Sequence, residues 1–270
     1  MDRDGAFAPS EKSAVRWFAA QPYWWESHYV QAVDEIVDFL GGDGLSLDGR
    51  RVLDLGCGDG ILTTGLAART GAHSVLGLDV HPVDSEFLAA SAAEHGVSLD
   101  PSRPTFGVSQ PADLGIPDDS VDIVITWSVF EHVSNVPDLL GEICRVLVPG
   151  GLVFIQIWPL FFSEHGSHLW PWFDQPYPHL RLDEHELKAE LRNRTGDADL
   201  TEAMFDLYAS CNRLTLDDLG SALVAAGFYI SKVETDRTAV HIPPELQHTP
   251  LSLLTTDGVK VTAVKLVQPD

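Results

Sequence analysis

The decapeptide RVLDLGCGDG, in the first quarter of the chain, combines glycines and carboxylates in a spacing that could bind a cationic ligand. Gly56, Gly58 and Gly60 would let the backbone turn sharply from a short buried strand into a helix, so that a nucleotide-like ligand could lie directly on main chain. Dinucleotide-binding loops use the spacing GxGxxG and place a pyrophosphate at the positive end of the helix. Here the spacing is GxGxG. Asp54 and Asp59 would repel a pyrophosphate and attract an ammonium or sulfonium group, so we predict a cationic ligand.

Acids and histidines that could act on a second molecule lie further along the chain. Glu131 and His132 are adjacent in FEHV, and His165 and His168 lie in SEHGSHLWPWF. An imidazole can take a proton from an acceptor hydroxyl, and imidazoles and carboxylates together can hold a divalent ion. Each histidine taken singly could instead be structural or solvent-exposed, and that alternative stays open.

Alternating strands and helices must position these residues. We predict strands near 51–56, 74–80, 104–108, 121–127, 151–158, 228–236 and 259–268, and helices near 60–70, 83–95, 136–147 and 215–227. This alternation is typical of an α/β fold with a mostly parallel sheet that is covered by helices on both faces. The last two strands follow one another without a predicted helix, so we expect them to pair in the antiparallel direction. The two histidine-bearing segments follow the fourth and fifth strands, so we expect them to meet over one ligand crevice.

The N-terminal segment is predicted to cover this crevice. Residues 11–40 carry apolar residues at helical spacing and are interrupted by Pro22, so two helices are expected. The segment is rich in aromatic residues, namely Trp17, Phe18, Tyr23, Trp24, Trp25 and Tyr29. They could cover a cofactor, or they could anchor the helices to the sheet. We predict that residues 1–45 form a helical lid within a single domain of residues 1–270.

Residues 160–212 depart from the alternating pattern. They lie between the fifth strand and the next sheet-covering helix, open with aromatic residues, histidines and prolines, and contain two further predicted helices near 183–194 and 197–209. An insertion at the carboxyl end of a parallel strand lies beside the ligand crevice. We therefore predict a substrate cap, whose aromatic content suits an apolar or ring-bearing small molecule. A packing extension or a dimer contact is the alternative.

Composition disfavours several other functions. The 270 residues include 40 acidic and 17 basic residues, which gives a formal net charge of -23. This charge disfavours general attraction to nucleic acid or to an anionic membrane. The first residues lack the apolar core of a signal peptide, and no apolar run reaches membrane-spanning length. The three cysteines are widely spaced and show no ligand pairing, so we expect a reduced, cytoplasmic protein with buried structural thiols.

Four segments in order carry a resemblance to a known family. They are RVLDLGCGDG, LGLDVHP at 76–82, ADLGIPDDSVDIVITWSVFEHV at 112–133 and RVLVPGGLVFIQIWP at 145–159. Over residues 45–160 the chain resembles the class I S-adenosylmethionine (SAM) dependent methyltransferases. The resemblance implies a Rossmann-like sheet of seven strands with an antiparallel last strand. It also implies SAM as cofactor, and the sulfonium group of SAM matches the cation predicted from the loop.

Cofactor-binding residues follow from this resemblance together with their positions. The loop would contribute Asp54, Gly56, Gly58 and Asp59, and the end of the second strand Asp79 and Val80, with the Asp79 carboxylate accepting hydrogen bonds from the ribose hydroxyls. The resemblance further implies that Asp113 accepts from the adenine amino group while the backbone at Leu114 reads the ring. Asp113 could instead be one of several solvated turn acids. Trp127 ends the fourth strand beside the methionine end of the cofactor.

A narrower resemblance concerns the acceptor side. The ubiquinone-pathway O-methyltransferases carry an ExxEH motif and a GTH-aromatic segment, and this chain has SVFEHV at 128–133 and GSHLW at 166–170. The resemblance implies that Glu131, His132 and His168 hold a divalent ion, Mg²⁺, Mn²⁺ or Zn²⁺, or else act directly on the acceptor hydroxyl. Ser128 stands where the motif has its first glutamate.

The sequence therefore predicts a SAM-dependent methyltransferase that acts on the hydroxyl oxygen of a small molecule. N- or C-methylation of a natural-product-like acceptor without a metal is an alternative within the same class. From another class, a NAD-dependent oxidoreductase or a non-catalytic SAM-binding subunit remains open. The acidic charge argues against the small-RNA methyltransferases that share the ExxEH motif.

Overall fold

The computed structural model describes residue 14 and residues 16–100 and 102–267. Its centre is a sheet of seven strands in the order β3-β2-β1-β4-β5-β7-β6. The strands are β1 Arg51–Leu55, β2 Ser74–Asp79, β3 Thr105–Val108, β4 Val121–Trp127, β5 Leu147–Ile157, β6 Phe228–Arg237 and β7 Thr256–Lys265. Strands β1 to β5 pair in parallel, and β7 runs antiparallel to both β5 and β6. The predicted Rossmann-like α/β class is confirmed.

The helices lie on both faces of the sheet and beyond its carboxyl edge. They are α1 Ala32–Gly41, α2 Ile61–Arg69, α3 Ser85–Glu94, α4 Val136–Val146, α5 Pro178–Arg181, α6 Glu184–Thr195, α7 Ala198–Ser210, α8 Leu216–Ala225 and α9 Leu251–Leu254. A π-helix, Glu26–Gln31, leads into α1, and short 3₁₀ helices span Phe130–His132 and Pro244–Leu246. Side-chain caps start several of the helices, as where Asn135 accepts a hydrogen bond from the Asp138 N–H.

Both faces of the central strands are buried. Val52 packs into an apolar cluster with α1 and α2, whereas the next residue, Leu53, packs into a second cluster with α4 and α8. Because neighbouring residues of a strand point to opposite faces, burial on both sides requires continuous apolar runs. This is why the central strands could be recognised in the sequence.

Strand β5 begins earlier than predicted. It starts at Leu147 rather than near residue 151, and its pairing with β4 shifts between Val121 and Ile123. The shift accommodates the segment Pro149, Gly150, Gly151, in which Gly150 has a left-handed φ of 77°. A bulge at proline and glycine lets the strand continue without one ladder hydrogen bond.

Residues 160–212 contain α5, α6 and α7, and the last two match the two predicted helices to within one residue. Side chains of this segment, including Phe161, Leu187 and Met204, form an apolar cluster that also takes in Phe18 from the N-terminal segment. The insertion therefore packs around its own core beyond the carboxyl edge of the sheet.

The N-terminal segment contains the two predicted helical stretches. Residues 16–19 are helical, and a second stretch starts at Trp24 after the turn that holds Pro22. Residues 1–13 of the predicted lid lie outside the described residues. Across the part of the chain that the structure describes, no helix has the length and apolar character needed to cross a membrane.

Candidate functional site

The glycine loop between β1 and α2 is left-handed at all three glycines, with φ values of 78°, 53° and 82° at Gly56, Gly58 and Gly60. A Cβ atom at Gly56 would clash with the Val129 side chain, and one at Gly60 would lie 2.9 Å from the Phe106 ring. A Cβ atom at Gly58 would meet no protein atom within 4 Å. The middle of the loop therefore faces open space, where a ligand could approach the backbone.

Asp79, at the end of β2, lies directly against this open part of the loop. Its Oδ2 accepts a hydrogen bond from the Gly58 N–H at 2.9 Å, and its Oδ1 accepts one from the His81 N–H at 2.9 Å. Its side chain remains 16% exposed, and Val80 follows it partly buried. Each carboxylate oxygen can accept a further hydrogen bond, so the group is fixed in place and can still receive two hydroxyls.

The two other acids of the loop are engaged by protein groups. Asp54 is only 1% exposed and accepts a hydrogen bond from the Thr63 hydroxyl at 2.6 Å. Burial raises the pKa of Asp54 to about 7, and the negative charges of Asp79 and Asp59 add to this effect. Asp54 therefore lies beneath the loop and carries only part of a negative charge at neutral pH.

Asp59 joins the loop to the N-terminal segment. Its Oδ1 accepts from the Ile61 N–H at 3.0 Å and so stabilises the start of α2, while its Oδ2 accepts from the Trp24 indole N–H at 2.7 Å. The Trp24 ring in turn lies 4.0 Å from the His28 ring, measured between centroids. The sequence singled out these aromatic residues but did not reveal that one of them binds an acid of the loop.

The segment before β4 carries Asp113 and Leu114. Asp113 is exposed, and its Oδ1 accepts from the Gly115 N–H at 3.0 Å. Leu114 is buried in the core, and its N–H donates to Glu142 Oε2 at 3.1 Å. The Leu114 amide is therefore already bonded within the protein, through a glutamate on α4 that the sequence reasoning missed. The three-residue spacing of Glu142 and Arg145 was the signal in the sequence that could have pointed to Glu142, because it predicts the ion pair that these residues form at 2.7 Å.

The carboxyl end of β4 is tied to β5. The Trp127 ring stacks on Phe154 with 6.5 Å between centroids. Ser128 has a left-handed φ of 52°, and its N–H donates to Gln156 Oε1 at 2.9 Å. Its hydroxyl donates to the Trp158 carbonyl oxygen at 3.2 Å. Ser128 therefore links the ends of the two strands and does not point into solvent as a free side chain.

Glu131 is a deeply buried acid. The residue is 3% exposed, and neither carboxylate oxygen has a hydrogen bond within the described residues. Burial raises the pKa of Glu131 to about 8. At neutral pH this carboxyl is therefore largely protonated and uncharged.

His132 and His168 do come together, as predicted, and their ring centroids are 5.1 Å apart. His132 Nδ1 is hydrogen-bonded to Ser210 Oγ at 2.9 Å, and His168 Nδ1 contacts Cys211 Sγ at 3.4 Å. Ser210 is the last residue of α7 and Cys211 follows it, so the bond from Ser210 to His132 ties the insertion to the segment after β4. Nothing in the sequence marked Cys211, because it lies 43 residues from its histidine partner.

Both imidazoles are uncharged at neutral pH. Burial lowers the pKa of His132 to about 4, and burial, with the nearby imidazoles of His132 and His179, lowers the pKa of His168 well below its ordinary value. Ser210 Oγ donates to the Leu207 carbonyl oxygen at 2.7 Å. Since a hydroxyl has one proton, it accepts from His132 Nδ1–H, which leaves His132 Nε2 unprotonated.

The predicted metal ligands are not assembled as one set. Among the described residues, the one group of three side chains with donor atoms within 4.8 Å of one another is His132, His168 and Cys211. Glu131 lies outside this group, and Ser128 stands where the motif would supply a second carboxylate. Within the group, His168 Nδ1 contacts Cys211 Sγ, whereas His132 Nδ1 is bonded to Ser210 outside it. The residues present therefore do not fit the oxygen-containing ligand set that the resemblance implies, and we assign no residue to a metal.

Comparison with known proteins agrees with this fold and loop. Residues 25–196 match the methyltransferase domain family. The chain is 30% identical over 208 residues to a ubiquinone biosynthesis O-methyltransferase of Hahella chejuensis. The matched region covers 71% of this chain and 79% of that protein. It is 40% identical over 109 residues to the protein of the same name from Agrobacterium fabrum, covering 40% of each chain.

Solved structures give the same fold. A chain from the complex between the Haloferax volcanii Trm112 methyltransferase activator and a methyltransferase superposes with a TM-score of 0.57 at 20% identity, covering 94% of this chain and 96% of that one. At this identity the likeness concerns the fold alone. The seven-stranded sheet and the acidic glycine loop are the features that the sequence predicts for a SAM-dependent methyltransferase.

This chain belongs to the methyltransferase domain family, since the match covers more than half of its length. It is therefore an enzyme that uses SAM. The NAD-dependent oxidoreductase and the non-catalytic subunit are set aside by this membership.

Proposed function

We propose that the enzyme transfers a methyl group from SAM to a hydroxyl oxygen of a ring-bearing small molecule. The arrangement that carries this proposal is the open backbone at Gly58 beside the Asp79 carboxylate. The aromatic insertion is linked to the same loop through Phe18 and Trp24. The relatives named as ubiquinone biosynthesis O-methyltransferases support oxygen as the acceptor atom.

In this proposal the cofactor lies across the carboxyl ends of β1, β2 and β4. Asp79 would accept the two ribose hydroxyls, and Asp113 would accept from the adenine amino group. The backbone at Gly56 and Gly58 would contact the cofactor directly, and Val80 and Trp127 would line its two ends. The remaining predicted contacts are indirect, because Asp54 lies under the loop and Asp59 is bonded to Trp24.

We further propose that residues 160–212 act as the substrate cap and that the N-terminal helices act as a lid. The insertion shares an apolar cluster with Phe18 of the N-terminal segment, and Trp24 reaches the loop through Asp59. Both elements would therefore close over one crevice and exclude water from it.

Bound SAM supplies an activated methyl group on a sulfonium sulfur. The protein must align the acceptor oxygen with that carbon and remove the hydroxyl proton. In this proposal the uncharged His132 and His168 would line the acceptor end of the crevice, where they could accept hydrogen bonds without adding a positive charge. Glu131, protonated at neutral pH, keeps that end uncharged as well.

The divalent ion is left out of this reaction because its predicted ligands do not assemble. The acidic chain, with a net charge of -23, favours a small-molecule acceptor over nucleic acid. Cys57, Cys144 and Cys211 are free thiols, which suits the reducing cytoplasm that we propose as its location.

An acceptor panel tests the proposed function. The enzyme would be incubated with SAM carrying a radiolabelled methyl group and with catechols, anilines or 1,3-dicarbonyl compounds as acceptors. We expect label in the catechols and release of S-adenosylhomocysteine. Labelling of the anilines or dicarbonyls alone would replace O-methylation by N- or C-methylation.

A further inference from the structure

His165 lies apart from the other two candidate histidines, in the loop that follows β5. Its Nδ1 is 3.5 Å from Asp257 Oδ1. Asp257 lies near the start of β7, which is antiparallel to β5, so its side chain is at the carboxyl edge of the sheet. The Asp257 carbonyl oxygen accepts from the Leu160 N–H at 2.8 Å, which fixes the loop against this strand.

The Asp257 carboxylate is oriented by a second donor. The Trp158 indole N–H donates to Asp257 Oδ2 at 2.7 Å, so Oδ1 is directed to His165. Oδ1 and His165 Nδ1 are both buried, and neither makes a hydrogen bond among the described residues. The Ser163 side chain also interacts with the Asp257 carboxylate. The 3.5 Å contact is longer than an ordinary hydrogen bond, and catalytic hydrogen bonds are often long or poorly aligned before the substrate binds.

The remaining part of the His165 ring is reachable from solvent. Its side chain is 30% exposed although Nδ1 itself is buried. With a proton on Nδ1 directed to Asp257, Nε2 carries the lone pair and can accept a proton. The pair therefore has the arrangement of a base that is oriented by a carboxylate.

An aromatic wall connects His165 to the cofactor loop. Trp158 and Trp170 each lie 6.0 Å from the His165 ring. The Phe18 ring lies 5.6 Å from the Trp170 ring and 5.9 Å from the Trp24 ring, measured between centroids. Trp24 is the residue that donates to Asp59 of the loop. Trp158 is also tied to the end of β4, since its carbonyl oxygen accepts from the Ser128 hydroxyl, and the methionine end of the cofactor is proposed to lie there. A planar acceptor beside Trp158 and Trp170 would therefore present one hydroxyl both to His165 and to the methyl group.

We propose that His165 is the general base for the methyl acceptor and that Asp257 positions it. This inference rests on the proposed O-methyl transfer. The acceptor hydroxyl gives its proton to His165 Nε2, and its oxygen forms a bond to the methyl carbon. The bond between that carbon and sulfur breaks with its electron pair left on sulfur, and the proton later leaves His165 to water.

Charge at the pair agrees with this role. Burial favours the neutral form of Asp257, but the contacts from His165, Trp158 and Ser163 together outweigh it and hold the pKa of Asp257 below its usual value. The contact with Asp257 raises the pKa of His165 above its ordinary value, against the effect of burial, and Glu164 of the same loop adds to the increase. The raised pKa makes the His165 imidazole a stronger base for the acceptor proton.

The first test compares two acceptors. The probes are catechol and 4-nitrocatechol at pH 8, where the nitrocatechol is already ionised and needs no base. We expect His165→Gln to lower kcat with catechol by about 100-fold or more, as for loss of a general base, and to change the rate with 4-nitrocatechol little. His185→Gln is the matched control, because His185 is an exposed histidine on α6 of the same insertion.

Outcomes of this test separate the two proposals. Retention of catechol methylation by His165→Gln, or equal losses with both acceptors, would overturn the base role. If the wild type methylates neither catechol, the proposed acceptor class is wrong, and the base role of His165, which rests on that acceptor, is wrong with it. SAM affinity from calorimetry and the melting temperature Tm, measured for each variant, exclude a folding defect as the cause.

The second test measures the pH dependence of kcat/KM with catechol. A base must be unprotonated, so the wild-type rate should fall as the pH decreases through the pKa of His165. Asp257→Asn removes the main cause of the raised pKa of His165. The fall of kcat/KM should therefore move to lower pH, and kcat should be smaller. Asp174→Asn, whose side chain is 99% exposed, should leave the profile in place. An unchanged profile in Asp257→Asn would leave Asp257 with only a structural role.

Discussion

Replacement of Asp79 by alanine tests the proposed cofactor site most locally. Asp79 is held by the N–H groups of Gly58 and His81, each at 2.9 Å, and these bonds leave both oxygens able to accept a ribose hydroxyl. The alanine variant loses the acceptors for the diol and also the bond that fixes the loop at Gly58. SAM affinity should therefore fall while the sheet remains folded.

The magnitude follows from the bonds that are lost. A hydrogen bond to a charged group contributes about 1.5–3 kcal/mol, and two bonds to one carboxylate are not additive because its desolvation is shared. We expect a total loss of about 1.5–3 kcal/mol, which is roughly a 10- to 150-fold increase in Kd. Asp79→Asn keeps one acceptor oxygen and should lie between the wild type and the alanine variant.

Isothermal titration calorimetry with SAM and with S-adenosylhomocysteine measures this change. Asp174→Ala removes the same charge from an exposed position, so it corrects for the general effect of net charge on a cationic ligand. A Kd for Asp79→Ala within about twofold of this control would refute the assignment of Asp79 to the ribose diol.

Three further outcomes are expected. Gly58→Val should weaken SAM binding more than Asp79→Ala, because the valine side chain would fill the open space at the loop. The control is Gly96→Val, since Gly96 has a similar φ of 69° and a Cβ there would meet no neighbour within 4 Å. This control should leave SAM binding unchanged, and equal effects of the two valine variants would contradict the proposed site. Because the pKa of Glu131 is about 8 in the folded chain against an ordinary 4.5, its protonated form stabilises the fold at low pH and this contribution falls as pH rises toward 8. Between pH 5 and pH 7 the wild type should lose about 2–3 kcal/mol relative to Glu131→Gln in urea unfolding, and a difference that does not vary with pH would refute the burial effect. Exhaustive chelation should leave methyl transfer intact, since the predicted ligands do not assemble, whereas a loss of activity that added Zn²⁺, Mn²⁺ or Mg²⁺ restores would contradict it.

Local patterns in the sequence account for what could be predicted. Strands buried on both faces leave continuous apolar runs, and a turn directly into a helix requires glycines at fixed positions, so the fold and the neighbourhood of Gly58 could be predicted. The predicted start of β5 was wrong because pairing with β4 extends the strand across Pro149 and the two glycines that follow it.

Contacts between distant parts of the chain could not be predicted in the same way. Asp257 lies on β7 and His165 in the loop after β5, and no spacing pattern connects two residues that meet only through an antiparallel strand. The Leu114 amide was predicted to face the adenine ring, but α4 brings Glu142 within hydrogen-bonding distance of it. Tertiary packing, which one sequence does not encode in local periodicity, decides such partners.

Transfer of a ¹³C-labelled methyl group is the most direct measurement of the central claim. The wild-type enzyme would be given SAM with a ¹³C-methyl group and a catechol, and the product would be analysed by NMR, in which the carbon shift distinguishes methyl groups on oxygen, nitrogen and carbon. We predict one new O-methyl signal that grows in step with S-adenosylhomocysteine and is strongly reduced in Asp79→Ala. A labelled methyl group on carbon, or a signal equally strong in Asp79→Ala, would contradict O-methyl transfer from a cofactor bound at the glycine loop.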